Sequence, residues 1–137
     1  MKRTISTRIP QQATHLALFI LRAGLGMMMF FGHGFPKLQA FAERAESFPD
    51  PLGVGSILSM TLTILAEGLC ALLVAFGLFT RWALVPLVIT MAIAVLIIHG
   101  DDPFSGQESA LLYLVPFFAL LLTGPGRYSL DHLFFNR

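Results

Sequence analysis

Four long apolar segments constrain this chain more than any other feature of its sequence. They cover approximately residues 14–33, 56–79, 82–99 and 105–123. A helix needs about 20 apolar residues to cross about 30 Å of hydrocarbon, and each segment comes close to that length. Only 12% of the residues are charged, against about 25% in soluble domains, and the mean hydropathy is +0.75. The sequence therefore predicts an all-α membrane protein, a four-transmembrane-helix bundle that forms one domain over residues 1–137.

Charge and cysteine content exclude several classes of function. The formal net charge is +1, so the chain has no basic surface of the kind that binds nucleic acid. The single cysteine, Cys70, lies within the second apolar segment, which excludes an internal disulfide and a CxxC redox pair. Arg22 interrupts the first apolar segment and no A-x-A pattern follows it, so we expect a retained helix rather than a cleaved signal peptide.

The lysines and arginines predict the orientation in the membrane. Four crossings place both termini and the turn at residues 80–81 on one side, and the two longer loops on the other. The first side carries Lys2, Arg3, Arg8, Arg81, Arg127 and Arg137, whereas the second carries only Lys37 and Arg44. Because positive residues concentrate in cytoplasmic segments, both termini are expected in the cytoplasm. Amphipathic rings are favoured at membrane interfaces, and the pattern places Trp82, Tyr113 and Tyr128 there.

Two segments outside the spans have helical patterns. Apolar residues recur with a helical period from Pro36 to Phe48, and a proline suits the first turn of a helix because its missing N–H has no partner there. We therefore expect a short amphipathic helix in the first outer loop, beginning at Pro36. At the other end, the glycines and proline of residues 124–126 end the fourth span, and Ser129 can cap a short interfacial tail helix.

Two charged residues lie within the predicted spans. Arg22 is near the middle of the first and Glu67 near the middle of the second, and each costs about 2.5 to 3.5 kcal/mol at a helix centre. Their depths differ by roughly 6 Å along the helix axis, which an arginine side chain can cover. We expect a structural Arg22–Glu67 ion pair; in the alternative, Glu67 accepts a proton or a ligand and Arg22 tunes it.

Helical spacing places other residues beside these two. One face consists of Arg22, Gly26, Met29 and His33, and a second of Thr63, Glu67, Ala71 and Ala75. Small residues repeated every four positions let two helices approach closely. The alanines are therefore expected to serve packing between the first two spans.

Polar side chains gather at the predicted outer end of the bundle. His33 closes the first span and His99 the third, with Lys37 and several acidic residues nearby. Two histidines could ligate haem, which is disfavoured because nothing else marks a haem site, and a metal is disfavoured because no tight ligand spacing occurs. A pocket for a quinone-like molecule fits better, with its ring packed by Phe30, Phe31 and Phe35. The favoured alternative is that these polar side chains simply face water and headgroups.

Three segments together resemble the DoxX family of small bacterial membrane proteins. They are LRAGLGMMMFFGHGFPKL (21–38), AEGLCALLVAFGLFTR (66–81) and TGPGRYSLD (123–131). Their order and spacing carry the resemblance, which covers most of the chain from Arg22 to Asp131.

The resemblance implies a four-helix protein of the bacterial inner membrane. Some relatives of this kind are linked to quinone-dependent sulfur oxidation or to thiol and quinone stress, and most have no assigned reaction. The positions to which it points are Arg22, His33, Lys37 and Glu67. Since the chain has no cysteine pair, a redox role would need a bound quinone or a partner protein. We expect a component that is not an enzyme on its own and that binds a small hydrophobic molecule or a partner.

Overall fold

The computed structural model describes residues 7–136 and contains four helices long and apolar enough to cross a membrane. They are α1 (Gln11–Gln39), α3 (Ser56–Phe76), α4 (Thr80–Ile98) and α5 (Phe104–Thr123). Two short helices lie outside them, α2 (Phe41–Arg44) and α6 (Leu130–Phe135). No strand occurs between residues 7 and 136. The predicted all-α bundle with four spans is thus confirmed.

The first span differs from its prediction because α1 does not end at His33. It continues through Pro36 to Gln39, and a π-helical turn at Phe30–Gly34 interrupts its regular α-helix. In this turn the amide of Phe35 bonds to the carbonyl of Phe30, five residues earlier. The widened turn gives room to the ring of Pro36, which would otherwise crowd the preceding turn. Pro36 does lie in the first turn of the α-helical segment Phe35–Gln39, as predicted, but this segment continues α1 and is not a separate loop helix.

The first loop still contains short helical turns. Ala40 interrupts the helix, α2 follows, and a 3₁₀ turn covers Ala45–Ser47. The tail helix α6 begins as predicted, because the Ser129 hydroxyl accepts a hydrogen bond of 3.2 Å from the amide of His132.

The bundle has two ends that are built differently. We call the end formed by Gln11, Phe76, Thr80 and Thr123 the terminal end, because the first and last described helices adjoin it. The opposite end, formed by Gln39, Ser56, Ile98 and Phe104, is called the loop end. Lys2, Arg3 and Arg137, which entered the orientation argument, lie outside the described residues.

Small residues bring α1 and α3 into close contact, as their spacing predicts. A Cβ atom added at Gly26 would lie 2.6 Å from the carbonyl oxygen of Ala71 and 2.9 Å from Cβ of Ala75. Both alanines are buried, and Met29 packs in the same core. The two backbones can approach this closely only because Gly26 has no side chain.

The remaining core lies between α4 and α5. It is formed by buried apolar side chains, chiefly Leu84, Leu87, Met91, Phe117 and Leu120. Many large apolar side chains instead point outward, as expected of helices whose solvent is lipid. Pro86 and Pro116 both lie inside these helices without ending them.

Candidate functional site

Lys37 and Glu67 form an ion pair between α1 and α3. The ammonium group of Lys37 donates to Oε2 of Glu67. The Glu67 side chain is only 6% exposed, and that of Lys37 is 27% exposed. A carboxylate this far from water needs a partner, and Lys37 supplies it because α1 continues past Pro36. The prediction that Arg22 forms an ion pair with Glu67 is therefore wrong.

Close backbone packing at Gly34 allows the side chains of Lys37 and Glu67 to meet. Gly34 is buried, and an added Cβ atom would lie 2.6 Å from Cα of Gly68 in α3. The backbones of α1 and α3 are thus in contact beside Glu67. Lys37 follows Gly34 within one helical turn, so its long side chain begins close to the carboxylate.

Three π-helical turns surround this region. They are Phe30–Gly34 in α1, Leu65–Cys70 in α3 and Ala94–Ile98 in α4. The first contains His33 and the second Glu67. Because a π turn holds one extra residue, it rotates the side chains that follow relative to a continuous α-helix. Such turns are common at functional sites, since they aim a side chain that regular spacing would direct elsewhere.

A cavity of about 510 Å³ lies in the loop-end half of the bundle. All four membrane helices and the first loop line it, and most of its wall is apolar, including Leu52, Leu62, Ala66, Ile89, Ile93 and Ile98. Its polar side chains are His33, Lys37, Ser59, Thr63, Glu67, Thr90, His99, Ser109 and Tyr113. Its size falls within the range of small-molecule sites, about 300 to 1,000 Å³.

His33 lines the cavity beside an aromatic partner. Its ring meets the ring of Tyr113 edge to face, with centroids 5.5 Å apart. The sequence pattern places Tyr113 near the membrane interface, but it lies in the cavity wall and stacks on Phe117 at 5.9 Å. Small and polar positions recur along α5 at Gly106, Ser109 and Tyr113, a helical spacing that could have identified this lining face.

His99 lies at the loop end of the same cavity. Its Nδ1 atom is 2.7 Å from a carboxylate oxygen of Asp102, and its backbone carbonyl accepts a hydrogen bond of 2.8 Å from Gln107. The structure thus brings His33, Lys37, Glu67 and His99 to one cavity. Phe30, Phe31 and Phe35 do not line it, because they pack on one another instead.

The first loop covers the loop end of the cavity, and Asp50 holds it in place. Its carboxylate accepts hydrogen bonds from the amides of Val54 and Gly55, at 3.0 and 2.7 Å, and from the hydroxyl of Ser59 at 2.7 Å. The bond from Ser59, together with the backbone amides, lowers the pKa of Asp50 below its ordinary value. Loop residues Phe48, Pro51, Leu52 and Val54 then form part of the cavity wall.

Arg22 lies outside the cavity, in a separate polar cluster towards the terminal end. Its guanidinium group donates to the carbonyls of Val74 and Ala75, at 2.9 and 2.6 Å, and to that of Tyr128 at 2.6 Å. The last carbonyls of a helix have no donor within the helix, and they carry its negative dipole end. Arg22 therefore caps α3 and attaches the tail to it.

The turn after α3 completes this cluster. Gly77 adopts a left-handed conformation, with φ 72°, and the amide of Leu78 bonds to the carbonyl of Leu73 in a Schellman motif. Asp131 of the tail accepts bonds of 2.6 and 2.9 Å from the amides of Phe79 and Thr80, where α4 begins. A carboxylate is favourable at this positive helix end.

Among residues 7–136, no group of three or more His, Cys, Asp or Glu side chains is placed to hold a metal ion. The polar groups of the cavity can instead donate and accept hydrogen bonds.

Comparison with known proteins identifies the family. A family model described as DoxX matches residues 17–100, more than half of the chain. The chain belongs to the DoxX family. A protein of Haemophilus influenzae, named only as an uncharacterized protein, is 30% identical over 126 residues, which cover 86% of this chain and 83% of that relative. No solved structure matches the chain.

The DoxX match contains every site residue that the sequence predicts. Arg22, His33, Lys37, Glu67 and His99 all fall between residues 17 and 100. Tyr113 and the tail residues that contact Arg22 and α4 lie beyond it. The three segments that carry the resemblance meet at the terminal end, where Arg22, Gly77 and Asp131 join α1, the turn after α3 and the tail.

Proposed function

We propose that this DoxX protein binds a small, mainly apolar molecule with a polar head, and that the loop-end cavity is the binding site. The observation that carries the proposal is a cavity of about 510 Å³ whose wall is mostly apolar and also carries hydrogen-bonding side chains from all four membrane helices. That combination is typical of ligand sites, in which apolar surface supplies affinity and a few hydrogen bonds fix orientation. In this proposal the chain is a binding component and not an enzyme on its own.

Each polar residue has a distinct task in this proposal. The imidazole of His33 and the phenol of Tyr113 supply N–H and O–H donors to oxygen atoms of the ligand. Lys37 and Glu67 hold each other, and the two further protons of the ammonium group are available to a ligand. His99 lies at the mouth, where its contact with Asp102 fixes its ring.

The direct test is mass spectrometry of small molecules that copurify with the protein. We expect a specific molecule, enriched over the surrounding lipids, that is lost when the cavity is filled by Ala94→Leu. Ala17→Leu adds the same side chain to an exposed position of α1 outside the cavity and should leave the molecule bound. Equal loss in both variants, or no enriched molecule in the unchanged protein, would contradict the proposal.

A quinone is the more specific candidate, and one observation favours it. Two ring-bearing donors, His33 and Tyr113, lie against each other in the cavity wall, and a quinone offers two carbonyl oxygens joined by an apolar ring. Because Cys70 is the only cysteine of the chain, a redox role would be that of an accessory subunit working with a partner protein. Binding of added quinone to the protein in nanodiscs tests whether the ligand is a quinone. Recovery of partner proteins after gentle extraction tests the accessory role.

We further propose a location in the bacterial inner membrane with both termini in the cytoplasm. Within the described residues, Arg8, Arg81 and Arg127 lie towards the terminal end and Lys37 and Arg44 towards the loop end, and this excess of positive residues at the terminal end supports the orientation. Single cysteines introduced at Ser47 and Asn136 into a Cys70→Ala background provide the test. An impermeant thiol reagent added to intact cells should label the first and not the second.

A further inference from the structure

The charges that line the loop-end cavity balance one another. Its titratable side chains within the described residues are His33, Lys37, Glu67, His99 and Tyr113. The positive charge of Lys37 and the negative charge of Glu67 form one ion pair. At the mouth, His99 contacts Asp102, whose carboxylate is exposed outside the cavity wall. Tyrosine is uncharged near neutral pH, and histidine is largely uncharged above its ordinary pKa of about 6.5. The cavity therefore holds a paired cation and anion but no free counter-charge.

Such a cavity treats charged and uncharged ligands differently. A charged head that leaves water must be compensated inside, because an isolated ion is strongly disfavoured among apolar side chains. An anion that accepted the remaining protons of the Lys37 ammonium group would place that one cation between two anions, with the Glu67 side chain only 6% exposed. A cation beside Glu67 would in the same way place one anion between two cations. Either ligand leaves the site with an uncompensated charge away from water.

An uncharged oxygen-bearing head avoids this conflict. It can accept hydrogen bonds from Lys37, His33 or Tyr113 while the ion pair stays intact. The hydroxyl groups of Thr90 and Ser109 line the same space and can also donate. We propose that the Lys37–Glu67 pair makes the site selective for uncharged amphiphiles whose head carries oxygen acceptors. This inference rests on the proposed function, because it specifies the ligand class of the same cavity.

Three probes with the same decyl chain test the selectivity. Decyl methyl sulfone has an uncharged head, decyl sulfate is a permanent anion and decyltrimethylammonium is a permanent cation. The heads of the sulfone and the sulfate are about equally large. Binding to the protein in nanodiscs is measured at about pH 8, above the ordinary histidine pKa of about 6.5. Partition into empty nanodiscs is subtracted. We expect the sulfone to bind about tenfold or more tightly than either ion.

Charge variants then test whether the ion pair is the cause. Glu67→Gln leaves Lys37 unpaired, so the preference should shift towards decyl sulfate. Lys37→Met leaves Glu67 unpaired, so the binding preference should shift towards decyltrimethylammonium. The double variant restores neutrality, and the sulfone should again bind best. Because the ranking in the unchanged protein needs no variant, a folding defect in either single variant does not remove the test.

The outcomes separate this inference from the proposed function. If decyl sulfate or decyltrimethylammonium binds the unchanged protein as tightly as the sulfone, the selectivity proposal is overturned while ligand binding stands. A preference for the sulfone that neither charge variant shifts also overturns it, since the ion pair would not be its origin. If none of the probes binds more than to empty nanodiscs, and Ala94→Leu does not change the set of copurifying molecules, both the selectivity proposal and the proposed binding function fail.

Discussion

Arg22 is completely buried, yet three backbone carbonyls surround its guanidinium group. The planar fork reaches two helix-terminal carbonyls and the tail at the same time, and it also lies 5.5 Å from the ring centre of Phe19. A lysine has a point-like ammonium group, which cannot span three acceptors on two segments. The role of Arg22 is thus to join α1, the end of α3 and the tail.

Replacing Arg22 by lysine should destabilise the fold. Hydrogen bonds from a charged donor contribute about 1.5 to 3 kcal/mol each, and a lysine at this position would keep one or two of the three. We expect Arg22→Lys to lower the free energy of unfolding by about 2 to 4 kcal/mol, measured by denaturant titration in detergent micelles. The control is Arg44→Lys, at an exposed position of α2. Equal stability of the two variants would show that the three contacts do not stabilise the fold.

Asp50 gives the loop end a dependence on pH. Its pKa is lowered in the folded protein by the Ser59 hydroxyl and by nearby backbone amides. Its contribution to loop stability is therefore complete above the unfolded value of about 4 and is lost as the pH falls through the lower folded value. Hydrogen exchange at Val54 and Gly55, corrected for the intrinsic rate at each pH, should show this opening. In Asp50→Asn the two amides should already exchange faster at neutral pH, with no acid transition.

At the scale of the helix, close contact between α1 and α3 depends on a few glycines. A side chain at Gly26 would meet backbone atoms of Ala71 and Ala75, which cannot move without moving α3. Forcing extra atoms into a packed site costs about 1 to 3 kcal/mol, and we expect Gly26→Ala to fall in this range. Gly24 is the matched control, because an added Cβ there meets nothing within 4 Å.

Gly24→Ala should be neutral or should stabilise α1 by up to about 1 kcal/mol, since alanine favours a helix. Both variants are compared by thermal unfolding in the same detergent. If Gly26→Ala proves as stable as Gly24→Ala, the close contact between α1 and α3 is not required by the fold.

Sequence patterns predict these helices better than they predict their interruptions. The lengths of the apolar segments predict all four spans, and the spacing of Gly26, Ala71 and Ala75 predicts the contact between α1 and α3. The π turn before Pro36 has no comparable pattern, because one extra residue in a turn does not change the composition of the segment. If the π turn is not recognised, Pro36 is interpreted as the first residue of a new helix, and Lys37 is then placed outside the membrane. The sequence therefore does not indicate that Lys37 is the partner of Glu67.

Tyr113 and Arg22 show a second limit of sequence reasoning. An amphipathic tyrosine in an apolar segment fits a membrane interface as well as a cavity wall, and only the packing of α5 decides between them. The depth of Arg22 fitted Glu67, but its side chain is long enough to reach several partners. In the structure it reaches the carbonyls of Val74 and Ala75 at the end of α3, acceptors that composition and spacing do not reveal.

At the scale of the whole molecule, the two ends have separate structural roles. The terminal end is held together by Arg22, Gly77 and Asp131, which connect α1, the turn between α3 and α4, and the tail. The loop-end half contains the cavity with Lys37 and Glu67 in its wall. The contacts that stabilise the bundle at the terminal end are therefore distinct from the groups proposed to bind a ligand.

Double-mutant cycles can measure this separation. Arg22 and Asp131 both attach the tail to the end of α3 and the start of α4, so Arg22→Lys and Asp131→Asn should couple by about 0.5 kcal/mol or more. Once either contact is lost, the tail is already loosened and the second loss costs less. Arg22→Lys and Lys37→Met share no partner, and their effects on the free energy of unfolding should add within about 0.5 kcal/mol. Strong coupling between Arg22 and Lys37 would instead mean that the terminal cluster and the cavity form one cooperative unit, and that ligand binding at the loop end should stabilise the tail.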